Sequence, residues 1–377
     1  MSKPPVGLVM ICKNEEANIE RALLSVKPWI NTWVIVDTGS TDGTKEVIRR
    51  VMGDMPGFLE ERPWVNFGAN RTEALELCKG RMDWAIMLDA DDNMAGDAPP
   101  AALWTTTDYD AYAMKIKHGP TIHQRVQMFR IATDWSYQGV LHEYPHCRGV
   151  EKPRILLLPA NIWMDTRCDG VRSRDPNKYM KDAMTLEAEH YRDPTVPRTI
   201  FYLAQSYRDA GKPVEAQLWY QKYIDTSGGW DQEYYISIMN LINLISDPKR
   251  VMELAWQAVQ LCPERLEVPY VALVRHIQQK WPITQQHYAM ATLTDNRIPN
   301  PIWLFVNEGI YQFGFDEVVS VISFNTGHHR QAHDASMRCI LGAPTEEIRN
   351  KAINNAIAAR NTMLQQSQQS QGSVASF

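Results

Sequence analysis

Nowhere among the 377 residues do roughly 18 apolar residues run together, the length a membrane-spanning helix needs. The opening apolar segment, Val6 to Cys12, is too short for the core of a secretion signal, and no small-residue cleavage site follows it. No membrane insertion and a cytoplasmic location are therefore expected. The six cysteines (Cys12, Cys78, Cys147, Cys168, Cys262, Cys339) form no CxxC pair and no zinc spacing, so they read as reduced packing residues. A basic excess is also missing. The chain through Asp165 carries 18 basic and 22 acidic residues, the rest 21 and 22, for a net charge of −5. That balance speaks against a tight, nonspecific polyanion binder. Glycine is absent from Cys12-Lys-Asn-Glu-Glu16, the loop after the first predicted strand, where a phosphate-cradling loop would need it.

What is present is a globular composition, 44% hydrophobic and 22% charged, in a chain long enough for two domains. The first 165 residues alternate strand and helix signals. Val6–Cys12 and Trp33–Asp37 are continuous apolar runs of the kind buried on both faces of a sheet. Glu15–Val26, Thr44–Met52 and Asn70–Lys79 have helical spacing, and Trp84–Leu88 is a third core strand. Trp64–Phe67 reads as a short strand, and Ala111–Lys117, Arg125–Ile131 and Ile155–Leu158 as later strand-like pieces. Strands separated by helices predict β-α-β units and a mostly parallel, Rossmann-like α/β sheet.

From about Asn177 the pattern is helical only. Arg198–Ala210 and Pro213–Asp225, joined by Gly-Lys-Pro, place small residues and aromatics as a tetratricopeptide-type pair does. Glu233–Ile245 with Lys249–Leu261 suggests another pair. Val268–Gln279, Trp303–Phe313, Phe315–Asn325 and Arg330–Leu341 continue the array. The predicted organisation is a catalytic domain over 1–165, a linker and active-site loop with a first helix over 166–195, an all-α repeat domain over 196–362, and a disordered Gln/Ser-rich tail over 363–377.

Carboxylates collect at the predicted carboxyl ends of the strands, where open α/β sheets bind ligands. Asp37 closes one strand, and Asp89-Ala-Asp91-Asp92 closes another. Alternate residues of an extended chain point the same way, so Asp89 and Asp91 share a face. Two carboxylates held that close favour a cation between them, and oxygen donors suit Mg2+ or Mn2+. The competing reading of Asp89–Asp92 is a polar strand-to-loop turn, and of Asp37 a turn-forming strand end.

These stretches together resemble the family 2 glycosyltransferases of GT-A fold. The residues that carry the resemblance are Val9-Met-Ile-Cys-Lys-Asn-Glu-Glu16, Val36-Asp-Thr-Gly-Ser-Thr-Asp-Gly-Thr44, Phe67-Gly-Ala-Asn-Arg-Thr-Glu-Ala-Leu75, Met87-Leu-Asp-Ala-Asp-Asp92 and Gly139-Val-Leu-His-Glu143. It continues through Asp169-Gly-Val-Arg-Ser-Arg-Asp-Pro-Asn-Lys-Tyr179 into the helical half, as in the subgroup with tetratricopeptide repeats. The resemblance implies an inverting transfer of sugar from a nucleoside diphosphate, a UDP-sugar by expectation, to an acceptor hydroxyl. It implies that Asp37 accepts from the base, above a floor formed by Ile11, Lys13 and Glu15. Asn70, Arg71, Asp89 and Ala90 would meet the nucleotide or sugar, and Asp91 with Asp89 would hold the metal. Relatives carry a His-rich stretch where this chain has Ile162-Trp-Met-Asp-Thr-Arg167, which leaves Asp165 as the candidate third ligand. Inversion requires a base for the acceptor proton. Glu143 takes that role, with His142 as its neighbour or a metal ligand. Arg172, Ser173 and Lys178 would close a loop over the diphosphate, and Trp135 and Tyr137 would line the acceptor pocket.

Two alternatives belong to other classes. A non-catalytic repeat scaffold with a relic front domain would be expected to have lost part of the Asp37, Asp89, Asp91 and Glu143 set. A nucleotidyltransferase would carry the glycine-rich loop that Cys12–Glu16 lacks. The acceptor stays open among saccharide, lipid-linked glycan, protein and modified nucleobase. The repeats suit a macromolecular acceptor, a protein partner or a second copy of the chain.

Overall fold

Val6–Cys12 becomes the central strand β1, every residue of it buried. It lies parallel to β2 (Thr32–Asp37) on one side and to β4 (Trp84–Met87) on the other, and β3 (Gly57–Glu61) extends the parallel set beyond β2. The computed structural model describes residues 6–118, 121–167, 170–293, 298–300 and 303–374. Cys168 and Asp169 lie outside them.

The period of two along β1 decides how the sheet is covered. Leu8 and Met10 pack with Ile19, Ala22 and Leu23 of α1 (Ile19–Val26) and with Ile48 and Met52 of α2 (Thr44–Met52). Val9 and Ile11 face the other way, onto Ala74 and Leu75 of α3 (Phe67–Leu77) and onto Cys78, which caps it. Each fully buried aliphatic side chain contributes about 1.5–3 kcal/mol, so both layers are strongly specified.

Beyond β4 the sheet turns mixed. In chain order follow β5 (Asp92–Gly96), α4 (Ala101–Thr105), β6 (Ala111–His118), β7 (Thr121–Arg130), β8 (Trp135–Gln138), β9 (Tyr144–Cys147), β10 (Ile155–Leu157) and β11 (Ile162–Thr166). The sheet order is β3-β2-β1-β4-β7-β6-β11-β5, with β10 also on β6. β7 is antiparallel to β4 and β6, β11 runs parallel to β6, and β5 is antiparallel to β11. β8 and β9 form a separate hairpin. The expected strand at 64–67 does not form. Phe67 opens α3, with the Asn66 side chain capping Ala69 N at 2.8 Å, and the strand lies earlier, at the half-exposed edge β3.

A 3-10 turn, Val171–Arg174, leads into α5 (Lys178–Arg192) and α6 (Pro197–Asp209). The chain divides into two compact units at Lys212/Pro213. Both α5 and α6 therefore belong to the first unit, not to a linker and a repeat domain starting at 196. The two helices expected to form the first repeat pair fall on opposite sides of the division.

The second unit is all helical: α7 (Pro213–Ile224), α8 (Asp231–Leu244), α9 (Pro248–Leu261), α10 (Glu267–Gln278), α11 (Gln285–Ala291), a π turn (Ile310–Gly314), α12 (Phe315–Asn325), α13 (His329–Gly342) and α14 (Glu346–Val374). At its centre Arg265 and Glu267 pair at 3.1 Å, both side chains fully buried, and Tyr311 donates to Glu267 at 2.8 Å. Of the helix expected over 303–313, the part from Glu308 on is helical, and it runs through the π turn into α12. The tail expected to be disordered continues α14 as far as Val374. Its Gln-rich composition prolongs a helix nucleated on the buried Ala352, Ala356 and Ala359. Among the described residues no helix is long and apolar enough to cross a membrane.

Candidate active site

Parallel pairing brings the carboxyl ends of β1, β2 and β4 side by side, with Cys12 opposite Asp37. The loops that follow interlock. Asn14, with φ 55°, donates its N–H to the Ser40 hydroxyl at 2.8 Å and accepts from Thr41 N at 2.8 Å. Glu15 N reaches the Thr44 hydroxyl at 2.8 Å, and Gly43 N donates to Glu16 at 3.0 Å. Asp37 is fully buried. Its Oδ1 accepts from Gly39 N at 3.0 Å and Ser40 N at 2.7 Å, and its Oδ2 accepts from the Cys12 thiol at 3.8 Å. Burial and the neighbouring Asp37 push the Cys12 thiol well above its usual pKa.

The centre of the site is Arg71, carried on α3 and buried. Its Nε donates to Glu143 at 2.7 Å and its second terminal nitrogen to Asp89 at 2.6 Å, while its guanidinium lies 5.7 Å from the Tyr137 ring centroid. Burial alone would raise the Asp89 pKa, but Arg71 and then Arg125 outweigh it and hold the carboxyl below the usual range. Burial and Asp89 push its neighbour Asp92 up to about 7, although Arg125 stands 3.5 Å away. The two carboxyls thus diverge because one guanidinium serves Asp89 directly.

Asp91 lies across from the segment before α5. Gly170 donates its N–H to Asp91 Oδ2 at 3.2 Å. A Cβ at position 170 would stand 2.8 Å from that oxygen and 2.9 Å from Glu15 Oε1, so a larger residue there would push these two carboxylates aside. Gly68, at the start of α3, approaches equally closely: a Cβ there would meet Gly139 O at 2.3 Å.

His142, next to Glu143, is an exposed residue. Desolvation, followed by the cations Arg172, Arg198 and Lys178, lowers its pKa well below the usual value, so the imidazole is neutral. Arg172 pairs with Asp182 and lies 4.9 Å over the Phe67 ring. Lys178 lies 5.3 Å over Tyr179. The backbone of Ser173 sits in the 3-10 turn, and its side chain lies outside the described residues.

Several expected residues are not where the site needs them. Trp135 is buried in the core against Phe129, 5.2 Å between centroids, and cannot line an acceptor pocket. Asn70 is buried, its amide spent on Val65 N at 2.9 Å and Pro63 O at 3.1 Å, so it pegs a loop. The Ile11 and Ala90 side chains are also core, which leaves only their backbones for a ligand. Asp165 accepts from Trp163 Nε1 at 3.0 Å, and among the described residues no three His, Cys, Asp or Glu side chains gather as metal ligands. The Asp89, Asp91, Asp165 triad is thus not assembled. Arg125 and Gly170 were not foreseen. The Asp-Gly pair at 169–170 was the available signal for the second, and an exposed-looking strand residue gave none for the first.

Residues 8–150 match the sequence model described as "Glycosyl transferase family 2". This stretch holds Asp37, Arg71, Asp89, Asp91 and Glu143. Residues 8–150 are a family 2 glycosyltransferase domain. The transferase domain is similar in sequence to named glycosyltransferases. The lipopolysaccharide core biosynthesis glycosyltransferase LpsC of Rhizobium meliloti is 32% identical over 93 residues, which is 24% of this chain and 33% of that protein. A TPR repeat-containing protein of Synechococcus elongatus is 27% identical over 149 residues, covering 37% of this chain and 34% of that one. The chain thus spans about a third of the length of these curated relatives. Among solved structures, S. aureus TarS residues 1–349 in complex with UDP-GlcNAc aligns with TM-score 0.39 and 15% identity over 76% of this chain and 91% of that one.

Proposed function

We propose that the chain transfers a sugar, with inversion, from a nucleoside-diphosphate sugar to an acceptor hydroxyl, with a UDP-sugar as the first donor to test. The observation that carries this reading is Arg71 held between Asp89 and Glu143 at 2.6 and 2.7 Å, beside the carboxyl ends of β1, β2 and β4. One buried cation thereby sets a donor-side carboxylate and a candidate base at a fixed separation. The acceptor oxygen attacks the anomeric carbon while the bond to the diphosphate oxygen breaks. Glu143 takes the acceptor proton, and the nucleoside diphosphate leaves with the electron pair. His142, neutral, stays a hydrogen-bonding neighbour on the acceptor side.

Asp37 is the candidate base acceptor through Oδ2, whose only donor among the described residues is the weak Cys12 thiol. Lys13 and Glu15, in the loop after β1, are candidates to meet the same nucleotide. Arg172, Ser173 and Lys178, in the segment following Gly170, are the candidates to meet a diphosphate. Tyr137 remains the aromatic candidate on the acceptor side. Asp91 and Asp89 fit Mg2+ or Mn2+, because these ions take one or two carboxylates and fill their remaining places with phosphate oxygens and water. A three-residue protein cage is not required for that. Such an ion, when bound, offsets the charge that develops on the leaving diphosphate. The name of the Rhizobium relative favours a saccharide as acceptor, and the helical unit suits a large acceptor, a protein partner or a second copy.

The test is release of free nucleotide from UDP-, GDP-, TDP- and CMP-sugars with and without Mn2+, with Asp91→Ala and Glu143→Ala in parallel. Metal-dependent release from one donor, abolished in Asp91→Ala and reduced about 100-fold or more in Glu143→Ala, is expected. No release, together with no metal-dependent nucleotide binding, would refute the transferase reading. Pyrophosphate in place of nucleoside diphosphate would mean a nucleotidyltransferase.

A further inference from the structure

The residue before the candidate base is bent into a conformation that side chains other than glycine avoid. His142 has φ 52°, a left-handed value that costs an L-residue about 1 kcal/mol or more. Such strain persists only where the surroundings impose it. Here the grip comes from α6, some 55 residues further along the chain. Arg198 donates from Nε to the His142 carbonyl at 3.2 Å. Its terminal nitrogen donates to the Tyr202 hydroxyl at 3.2 Å, and its guanidinium lies 4.7 Å over the Tyr202 ring and 5.1 Å over Tyr144. Tyr202 stacks on the His142 imidazole, 4.0 Å between centroids with the planes 8° apart. Arg198 and Tyr202 stand one helical turn apart on the same face of α6, so a rigid element holds both the carbonyl and the ring of residue 142. From the other side Gly139, with φ 97°, and the Gly68 contact fix where the bend begins.

We propose that Arg198 and Tyr202 are positioning residues that hold the His142 bend and so aim Glu143 at Arg71 and the acceptor. The proposal rests on Glu143 being the base. The first helices of the helical half are then working parts of the transferase, in agreement with a unit boundary at Lys212. Nothing in a domain limit at 150 or 165 would indicate this.

The test uses the full chain with Tyr202→Ala, Tyr202→Phe, Arg198→Ala and Arg198→Lys. Amide hydrogen exchange over residues 139–145 reads the bend directly, and nucleotide release reads its consequence. In both alanine variants exchange over 139–145 should speed up about tenfold while the rest of the first unit stays protected. The kcat should fall about 10- to 100-fold with the donor KM within about twofold, because a base misplaced by about 1 Å loses rate, not donor binding. Tyr202→Phe keeps the stack and should restore most of both. Unchanged exchange in the two alanine variants would overturn the proposal. So would a Tyr202→Phe chain as loose as Tyr202→Ala, or a donor KM that rises while kcat holds. If exchange responds as expected but the wild-type chain releases no nucleotide from any donor, the positioning stands and the transferase reading falls.

Discussion

At the scale of single residues the site depends on one guanidinium shared by two carboxylates. Arg71 could not be read as more than a nucleotide contact, because sequence spacing shows which residues share a strand end but not which side chain bridges two loops. The Arg71→Ala chain leaves Asp89 and Glu143 close together without their cation. Breaking a buried pair by removing one partner costs about 3–5 kcal/mol, so a drop of about that size in urea unfolding of the first unit is expected. Arg71→Lys supplies the charge but only one point of attachment. It should recover part of the stability while nucleotide release stays at least about tenfold down. Equal stability of Arg71→Ala and wild type would show that the pair does not form in solution. The carboxylates themselves were legible, since Asp37, Asp89 and Asp91 follow continuous apolar runs whose burial is dictated by composition. Trp135 was misplaced for the opposite reason: nearness in sequence to His142 says nothing about which face of a hairpin strand meets the core.

At the scale of elements, the buried strands β1, β2 and β4 and the amphipathic helices α1 and α2 were legible, because their apolar periods are long and unambiguous. The edge strand β3 was not. Its Gly57–Glu61 stretch is half exposed, and nothing in its pattern separates it from a loop. Nor was the packing of α3 against the loop before Glu143 visible, since close approach depends on a glycine whose neighbour lies some 70 residues away. That contact makes a prediction at this scale. A Cβ at Gly68 would stand 2.3 Å from Gly139 O, and both partners are backbone, so neither can give way by changing rotamer. Gly68→Ala should therefore push α3 from the Gly139–Glu143 segment, costing about 1–3 kcal/mol and most of the turnover. Gly80→Ala, where a Cβ meets nothing within 4 Å, is the matched control for the added methyl, although its φ of 73° carries a strain of its own. Thermal melts and nucleotide release on the two variants separate packing from backbone strain. Comparable turnover in both would mean that α3 does not set the position of the base segment.

At the scale of the molecule the helical unit has its own response to acid, independent of any catalytic reading. His276 and His287 are both buried, their rings 4.2 Å apart, and Trp281 packs on the first at 5.1 Å. The Nδ1 of His287 accepts from Thr284 N at 3.0 Å, so the proton of the neutral ring is on Nε2, which is buried without a hydrogen-bond partner among the described residues. Burial and then His276 lower the His287 pKa to about 4, and burial lowers that of His276 as well. The unfolded chain takes up these protons near the ordinary imidazole value of about 6.5, while the folded unit resists them. Folded stability is therefore complete above that value and is lost as pH falls from about 6.5 toward about 4, with a slope near 1.4 kcal/mol per pH unit for each such group. For His287 alone the loss approaches about 3 kcal/mol by pH 4. Urea unfolding followed by tryptophan fluorescence between pH 7 and pH 4.5 would measure it. Comparison with His287→Gln removes the contributions of carboxylates and of His142, which both chains share. The substituted chain should show a slope lower by about 1 kcal/mol per pH unit, and parallel curves would mean that the buried pair is protonated as readily folded as unfolded.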